Sequence, residues 1–245
     1  MTQNQTSVLL GIDAQPDDVL LRLPELGSLM MIGKARGATH ERIGAVAEVT
    51  RKAERLACSG QFHDSLLEHR SVRSIQLNAT RLIQGKAYPR MEFHDGDGET
   101  LFAVVGFEGA EIFEEKLGHF PCTELGPAEA LPFPKRADVA ENDIGSLPLK
   151  AALQSQQPIS IEFETPTFRQ SWTGVVERVN PGMGFINVTR DDFHLHLLGG
   201  TVGSWVETSE GGRALLVALD HQGEETGLRL YANSSAAWSG WDGRV

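Results

Sequence analysis

His194 and His196 stand two residues apart in the run Phe193-His194-Leu195-His196-Leu197, so on an extended chain both imidazoles point to one face. That spacing suits two metal ligands, and Asp191 and Asp192 are close by. The alternative is a half-buried strand pair hydrogen-bonded to its neighbours. No third ligand has convincing spacing, so the strand pair is the preferred reading. A second cluster, Asp95-Gly96-Asp97-Gly98-Glu99, looks like a calcium loop but lacks the twelve-residue spacing and terminal Glu of an EF-hand; a tight turn accounts for it better. A third feature is basic. From Arg70 to Met91 the chain carries Arg70, Arg73, Arg81, Lys86 and Arg90 and no acid, a local charge of +5. Such a run could hold the carboxylates or phosphates of a ligand through charge-assisted hydrogen bonds. It could equally be a solvated face neutralised by Glu92–Asp143, where thirteen acids stand against Lys116, Lys135 and Arg136. Tyr231 is the fourth: its phenol can donate a hydrogen bond or, ionised, bind iron, with core packing as the competing role. There is no Gly-rich phosphate loop, no G-x-S-x-G and no HExxH, and no catalytic residue is assigned.

The elements that position these groups are mainly strands. Phe193–Leu197 alternates with period two, and Phe185–Thr189, Trp205–Thr208 and Ala214–Leu219 are short, apolar or β-branched runs bounded by Gly, Asn or Asp. Gly211-Gly212 and Asp95–Gly98 carry hairpin-turn chemistry. Helices are few: Glu108–Leu117, with Ala110, Phe113 and Leu117 on one face and its acids early, and a short one at Leu149–Ser155. Two segments look alike. Ile43-Gly44-Ala45-Val46 resembles Thr173-Gly174-Val175-Val176, and Met91–Asp95 leading through Gly98 resembles Ala218–His221 leading through Gly223. The offsets are 130 at the first glycine pair and 125 at the second, which suggests a duplicated unit. Six of the eleven prolines lie between Pro121 and Pro158, so regular sheet is not expected there. The expected organisation is α+β, two similar antiparallel β-sheet units with a few peripheral helices: residues 1–120, a Pro-rich connector at 121–158, and residues 159–245.

Composition excludes several classes. With 22 Lys and Arg against 33 Asp and Glu, the net charge is −11, which argues against nucleic acid or an anionic membrane as partner. Hydrophobic residues at 40% and charged residues at 22% describe a globular chain, not a disordered one. No apolar run approaches the ~20 residues of a membrane-spanning helix, and Met1–Leu21 has no basic residue, so no secretory signal is expected. Cys58 and Cys122 form no CxxC; two thiols fit a reducing cytoplasm and exclude a zinc site built on cysteine.

Gln170-Ser171-Trp172-Thr173-Gly174-Val175-Val176-Glu177-Arg178-Val179-Asn180-Pro181 resembles the second half of the HemS/ChuS-type hemin-degrading and hemin-transport factors. The likeness runs on through Phe185–Val188, Phe193–Leu198 and Val202–Val206 to Leu230-Tyr231. The first half is similar at Leu26–Met30, Thr39-His40-Glu41-Arg42-Ile43-Gly44 and Met91–Asp95. Members are duplicated proteins, each half carrying a large antiparallel sheet with helices, which agrees with the repeat.

The resemblance implies a cytoplasmic heme-binding or heme-trafficking protein of a heme-uptake system, with heme as cofactor and heme-uptake or heme-degrading proteins as partners. It also exposes departures. The family's axial ligand is the His of an Asp-Val-His-x-Phe motif on a helix; here the nearest echo is Asp138-Val139-Ala140. A pocket Arg of the first half aligns near Tyr88 and Arg90, and a pocket Lys of the second half falls near Glu210, a reversed charge. Tyr231 stands at a family pocket position, and His196 matches as a sheet residue. Iron then needs a substitute ligand: Tyr231, His69 or His63. His69 neighbours the basic run, so Arg70, Arg73 and Arg90 could hold the propionates. The runner-up is a non-heme structural or interaction protein on a degenerate scaffold of this kind. A heme-degrading enzyme is third, because the chain shows no flavin or nicotinamide motif and would draw electrons from a partner. An antiparallel sheet with free edges also allows a homodimer.

Overall fold

Alternation along the strands sets the architecture. In the Phe193–Leu198 strand, Phe193, Leu195 and Leu197 are buried while His194, His196 and Leu198 are half-exposed. The computed structural model describes residues 8–79, 82–83, 86–128, 135–238 and 240–241. Its strands form two antiparallel sheets, of ten and eight strands, and a two-stranded ribbon, Leu82–Ile83 with Lys86–Ala87. Three short α-helices, Pro16–Leu20, Glu111–Leu117 and Leu147–Ser155, accompany them. The α+β reading and both expected helices therefore hold, and no helix among the described residues is long and apolar enough to cross a membrane.

The chain divides into two compact units that interleave along the sequence. The first takes Met1–Ile32, Arg42–Phe133 and Pro166–Phe168; the second takes Gly33–Glu41, Pro134–Thr165 and Arg169–Val245. In the first unit the strands run in the order Cys122–Pro127, Val8–Ile12, Ser74–Asn78, Arg90–His94, Thr100–Gly106, Ser28–Ala35. A second set runs Asp64–Leu67, Arg55–Ser59, Glu48–Lys52. Its core includes Phe93 stacked on Phe102 at 4.6 Å between ring centroids, and Phe102 against Phe168 at 5.8 Å. In the second unit the order is Ser204–Glu210, Arg213–Leu219, Glu225–Ala232, Pro158–Glu164, Phe168–Val175. Its other set begins with the Ala38–Glu41 stretch and continues through Phe193–Leu198, Phe185–Arg190 and Asn180–Gly182.

One expectation needs correction. The proline-rich connector does contain sheet: Cys122–Pro127 pairs antiparallel with Val8–Ile12, with an irregularity between Leu9 and Leu10. The strand ends at its only proline and lies at the sheet margin. A proline lacking its N–H costs nothing on the side that faces no neighbour.

The two turns matched in the sequence share the same hydrogen bonds. In the first unit the Asp95 N–H donates to Glu99 O at 3.0 Å, Gly98 N–H to Asp95 O at 3.3 Å, and the N–H groups of Asp97 and Glu99 both to Asp95 Oδ1 at 2.9 Å. In the second unit Asp220 N–H donates to Glu224 O at 2.9 Å, Gly223 N–H to Asp220 O at 3.1 Å, and Gln222 and Glu224 N–H to Asp220 Oδ1 at 2.9 and 3.0 Å. Both hairpins carry a register shift beside the turn, between Phe93 and His94 and between Val217 and Leu219. Asp95 thus closes a turn, as its spacing implied.

Gly98 and Gly223 take φ of 84° and 82°, and a methyl group at either would meet no atom within 4 Å. The cost of a side chain there is backbone strain alone. Gly98→Ala and Gly223→Ala should each lose about 1–2 kcal/mol. Urea unfolding of the two single variants should show matching losses, and a loss at only one would break the equivalence of the turns.

Candidate functional site

The second unit is organised around His40, which is fully buried. Its Nε2–H donates to the Ile161 carbonyl at 3.1 Å, and its Nδ1 accepts from Gln170 Nε2 at 3.0 Å. Gln170 Nε2 also donates to the His40 carbonyl at 3.2 Å. The imidazole is therefore held as a neutral tautomer with both nitrogens satisfied. Its ring lies 4.8 Å from that of Phe193, which stacks on Trp172 at 4.7 Å with an interplanar angle of 9°. Gly174 is part of this packing, because a Cβ there would stand 2.5 Å from Trp172 Cζ2.

Inward-pointing His40 sends its neighbour Glu41 to the opposite face. There Glu41 meets the histidine pair. Glu41 Oε2 lies 3.2 Å from His194 Nδ1 and 3.7 Å from His196 Nε2. Burial opposes ionisation of Glu41, yet the hydrogen bond with His194 and the nearness of the His196 imidazole outweigh it and hold the carboxyl down at about 2. The Leu198 N–H donates to Gly37 O at 2.8 Å, tying the far end of the histidine strand to the turn that precedes His40 and Glu41. The strand pair expected from spacing is present, and so is a third group. Glu41 was hidden because it lies 153 residues away in sequence.

Ala140 lines a cavity of about 450 Å3, together with Asn142, Ile144, Leu147, Val202 and His221. Asp143 lines it too: Oδ1 accepts from Gly145 N–H at 2.9 Å and Oδ2 from Gly200 N–H at 2.7 Å. The Trp205 indole N–H donates to Ile144 O at 3.0 Å. His221 Nε2–H donates to Gly200 O at 2.9 Å, which leaves the Nδ1 lone pair as its acceptor. The volume falls in the range of roughly 300–1,000 Å3 usual for ligand pockets. In the sequence His221 stands out only as part of the repeat.

The other expected site residues are distributed between the units. Tyr231, in the second, is buried; its hydroxyl donates to Glu210 Oε2 at 2.8 Å, and Arg213 sits 4.3 Å over its ring. Burial, followed by the Glu210 bond, pushes its phenol up to about 12. In the first unit His69 is half-buried on the 3-10 turn His69–Ser71, which the Glu68 carboxylate caps through the N–H groups of Arg70 and Ser71. Arg70 is exposed and paired with Glu54, and Arg73 donates to the carbonyls of Arg70 and Val72. Arg90 pairs with Glu92 at 2.7 Å. Tyr88 lies edge-on to Phe107 at 5.7 Å, under Lys86, and packs on Ile32, Ala103 and Val105. Arg81 lies outside the described residues. The basic run is thus matched in part by local carboxylates. Cys58 is buried, with its thiol raised by burial to about 12, and Cys122 is exposed; both are free thiols.

Against solved structures, the chain is similar to ChuS of E. coli, a heme oxygenase, at TM-score 0.75 and 18% identity, covering 94% of this chain and 86% of that one. It is similar to holo-PhuS, a heme-binding protein of Pseudomonas aeruginosa, at TM-score 0.73 and 18% identity, covering 95% and 86%. The fold is that of the HemS/ChuS type. Apo-PhuS matches at TM-score 0.71, again at 18% identity, over 92% of this chain and 81% of that one. No protein-family model and no curated protein matches the sequence. Within the HemS/ChuS-type fold, residues 135–140 of this chain have no helical structure, and Ala140 contributes a methyl group to the cavity wall.

His63 is the most buried of the candidate iron ligands. Its Nε2–H donates to Gly44 O at 2.9 Å, its Nδ1 has no partner, and burial followed by the nearby Arg42 charge lowers it to about 4 while the Gly44 bond works the other way. The unfolded chain takes up a proton near the ordinary histidine value of 6.5, whereas the folded one does so only near 4. Stability from His63 is whole above pH 6.5 and is lost as pH falls toward 4, by up to about 3 kcal/mol. Urea midpoints between pH 7 and pH 4 should show this fall, and His63→Gln should flatten it.

Proposed function

We propose that this protein binds heme in the cytoplasm and passes it between an uptake system and the proteins that consume it. The observation that carries this reading is the likeness of fold, across nearly the whole chain, to ChuS, a heme oxygenase, and PhuS, a heme-binding protein. A heme-sized apolar plate needs a concave apolar wall and one axial ligand. The cavity at Ala140 offers Ile144, Leu147 and Val202 as wall and His221 as an imidazole. Those features fit the macrocycle. When bound, heme would supply an iron whose ligand field reports the side chain that holds it.

A methyl group at Ala140 cannot ligate, so another residue must. His221 lines the same cavity and presents Nδ1. Tyr231 would have to give its proton to Glu210, which already accepts the hydroxyl. His69 stands beside Arg70 and Arg73, which with Tyr88 and Arg90 are the groups proposed for the propionate side. His63 would have to give up its bond to Gly44. Binding without turnover is favoured because the chain carries no flavin or nicotinamide motif to deliver electrons.

A second reading is a protein-interaction module on the same fold. Two observations favour it: among the described residues no Lys or Arg lines the cavity to meet a propionate, and Glu210 is already engaged by Tyr231.

Hemin titration against an albumin control separates the two. Heme binding predicts a saturable one-to-one complex with a defined Soret band. Ala140→His should change its ligand field, and one of His221→Ala, Tyr231→Phe or His69→Ala should abolish the native spectrum. Weak, unsaturable partitioning would overturn the reading in favour of the interaction module. Release of carbon monoxide and a biliverdin-like pigment under reductant would replace trafficking with degradation.

A further inference from the structure

The second unit gathers Glu41, His194 and His196 on one half-exposed sheet face, with one ligand atom of each within 4.8 Å of the others. We propose that these three side chains bind a divalent first-row transition-metal ion, zinc foremost, with water in the remaining position. This site is independent of heme and would stand if no heme bound.

Spacing is the first argument. Bonds of about 2.1 Å to a tetrahedral ion place neighbouring donors roughly 3.4 Å apart. The carboxylate oxygen of Glu41 stands 3.2 Å from His194 Nδ1 and 3.7 Å from His196 Nε2, on either side of that value. The two imidazole centroids are 5.8 Å apart and tilted by 66°, so both rings can turn an edge toward one point.

Tautomer is the second argument, and it is specific to this chain. Asn187 pairs directly across the hairpin from His196. Its Nδ2 donates to the carbonyls of Asn180, Gly182 and Phe185 at 3.1, 3.3 and 3.2 Å, which fixes the amide with Oδ1 as its acceptor end. That Oδ1 lies 2.6 Å from His196 Nδ1. Two acceptors cannot share a bond, so Nδ1 carries the hydrogen and the neutral ring presents the Nε2 lone pair to Glu41. At 3.7 Å a lone pair faces a carboxylate oxygen with no hydrogen bond between them. A cation placed between them converts that opposition into two bonds. An imidazole whose far N–H is held by an amide oxygen is also the usual outer arrangement of a metal-bound histidine.

Chemistry narrows the ion. Two imidazole nitrogens and one carboxylate oxygen suit zinc and its neighbours, whereas calcium and magnesium prefer all-oxygen sets. The side chains of His194 and His196 keep 30% and 32% of their exposure, so solvent reaches the fourth position. Three protein ligands and one open position form a set that can activate a bound water.

The test uses tag-free full-length protein stripped with chelator. Zinc is titrated in competition with a chromophoric chelator, and cobalt is titrated while its visible absorption is followed. The expected result is one equivalent bound, with a tetrahedral-type cobalt spectrum. Glu41→Gln and His194→Asn should each weaken binding at least tenfold without changing the circular dichroism of the metal-free protein. Asn187→Ala, a positioning variant, should weaken it roughly tenfold. Should a variant fail to fold, the wild type still decides: cobalt must broaden the ring resonances of His194 and His196 before those of the other six histidines. Absence of stoichiometric binding, equal binding by Glu41→Gln/His194→Asn, or broadening that begins at other histidines would overturn the site and leave a metal-free ion-pair cluster.

Discussion

The placing of Glu41 against His194 and His196 depends on His40 being neutral, buried and fully bonded. A buried imidazole without partners would carry a desolvation cost of about 1–3 kcal/mol for each orphaned nitrogen. Here Ile161 O takes one nitrogen's hydrogen and Gln170 satisfies the other, while Phe193 lies against the ring. The side chain thereby links its own strand to Pro158–Glu164 and Phe168–Val175 by hydrogen bonds and to Phe193–Leu198 by ring contact. Because neighbours on a strand face opposite ways, fixing His40 inward fixes Glu41 outward. Phe193 and His194 obey the same rule. The geometry of the outer face is thus inherited from packing on the inner one, and polar chemistry is positioned by a core that contains none of it.

The duplicated turns at Asp95 and Asp220 behave differently from the sites. Both repeat the same four hydrogen bonds, because an Asp at the first position and a glycine at positive φ define the turn whatever surrounds it. Around them the two units differ. Arg36 reaches the Asp220 turn, lying 4.0 Å from Asp220 Oδ2, whereas the first unit uses His94, whose Nδ1 contacts Gly98 O at 3.1 Å. The turn chemistry is local; the site chemistry needs partners from several strands.

The same distinction explains how much the sequence disclosed. Strands such as Phe185–Arg190 and Phe193–Leu198, the helix Glu111–Leu117 and both glycine turns follow from patterns only a few residues long. The fold type is legible through the resemblance carried by the second-half stretch Gln170–Tyr231. Glu41 was not, since nothing local tells a surface acid which strand will lie beside it. The charges of Arg70 and Arg90 look available as a run, yet Glu54 meets Arg70 from 16 residues away, and Glu92, two residues along the same strand, meets Arg90. Cys122–Pro127 was misjudged because proline bars a strand from the middle of a sheet but not from its margin.

Interleaving of the two units has a consequence for biosynthesis. Glu41 belongs to a unit whose other members begin at Pro134, and its histidine partner is 153 residues downstream. At about 5–20 residues per second, the ribosome needs roughly 8–30 s to make that stretch. During this interval the Gly33–Glu41 segment has left the tunnel with His40 still lacking Ile161 and Gln170. The nascent chain must therefore keep a strand whose core-directed His40 has no partner waiting until residues 158–170 are made, and cell-free translation arrested before Pro158 would capture that waiting strand in a form open to chaperones.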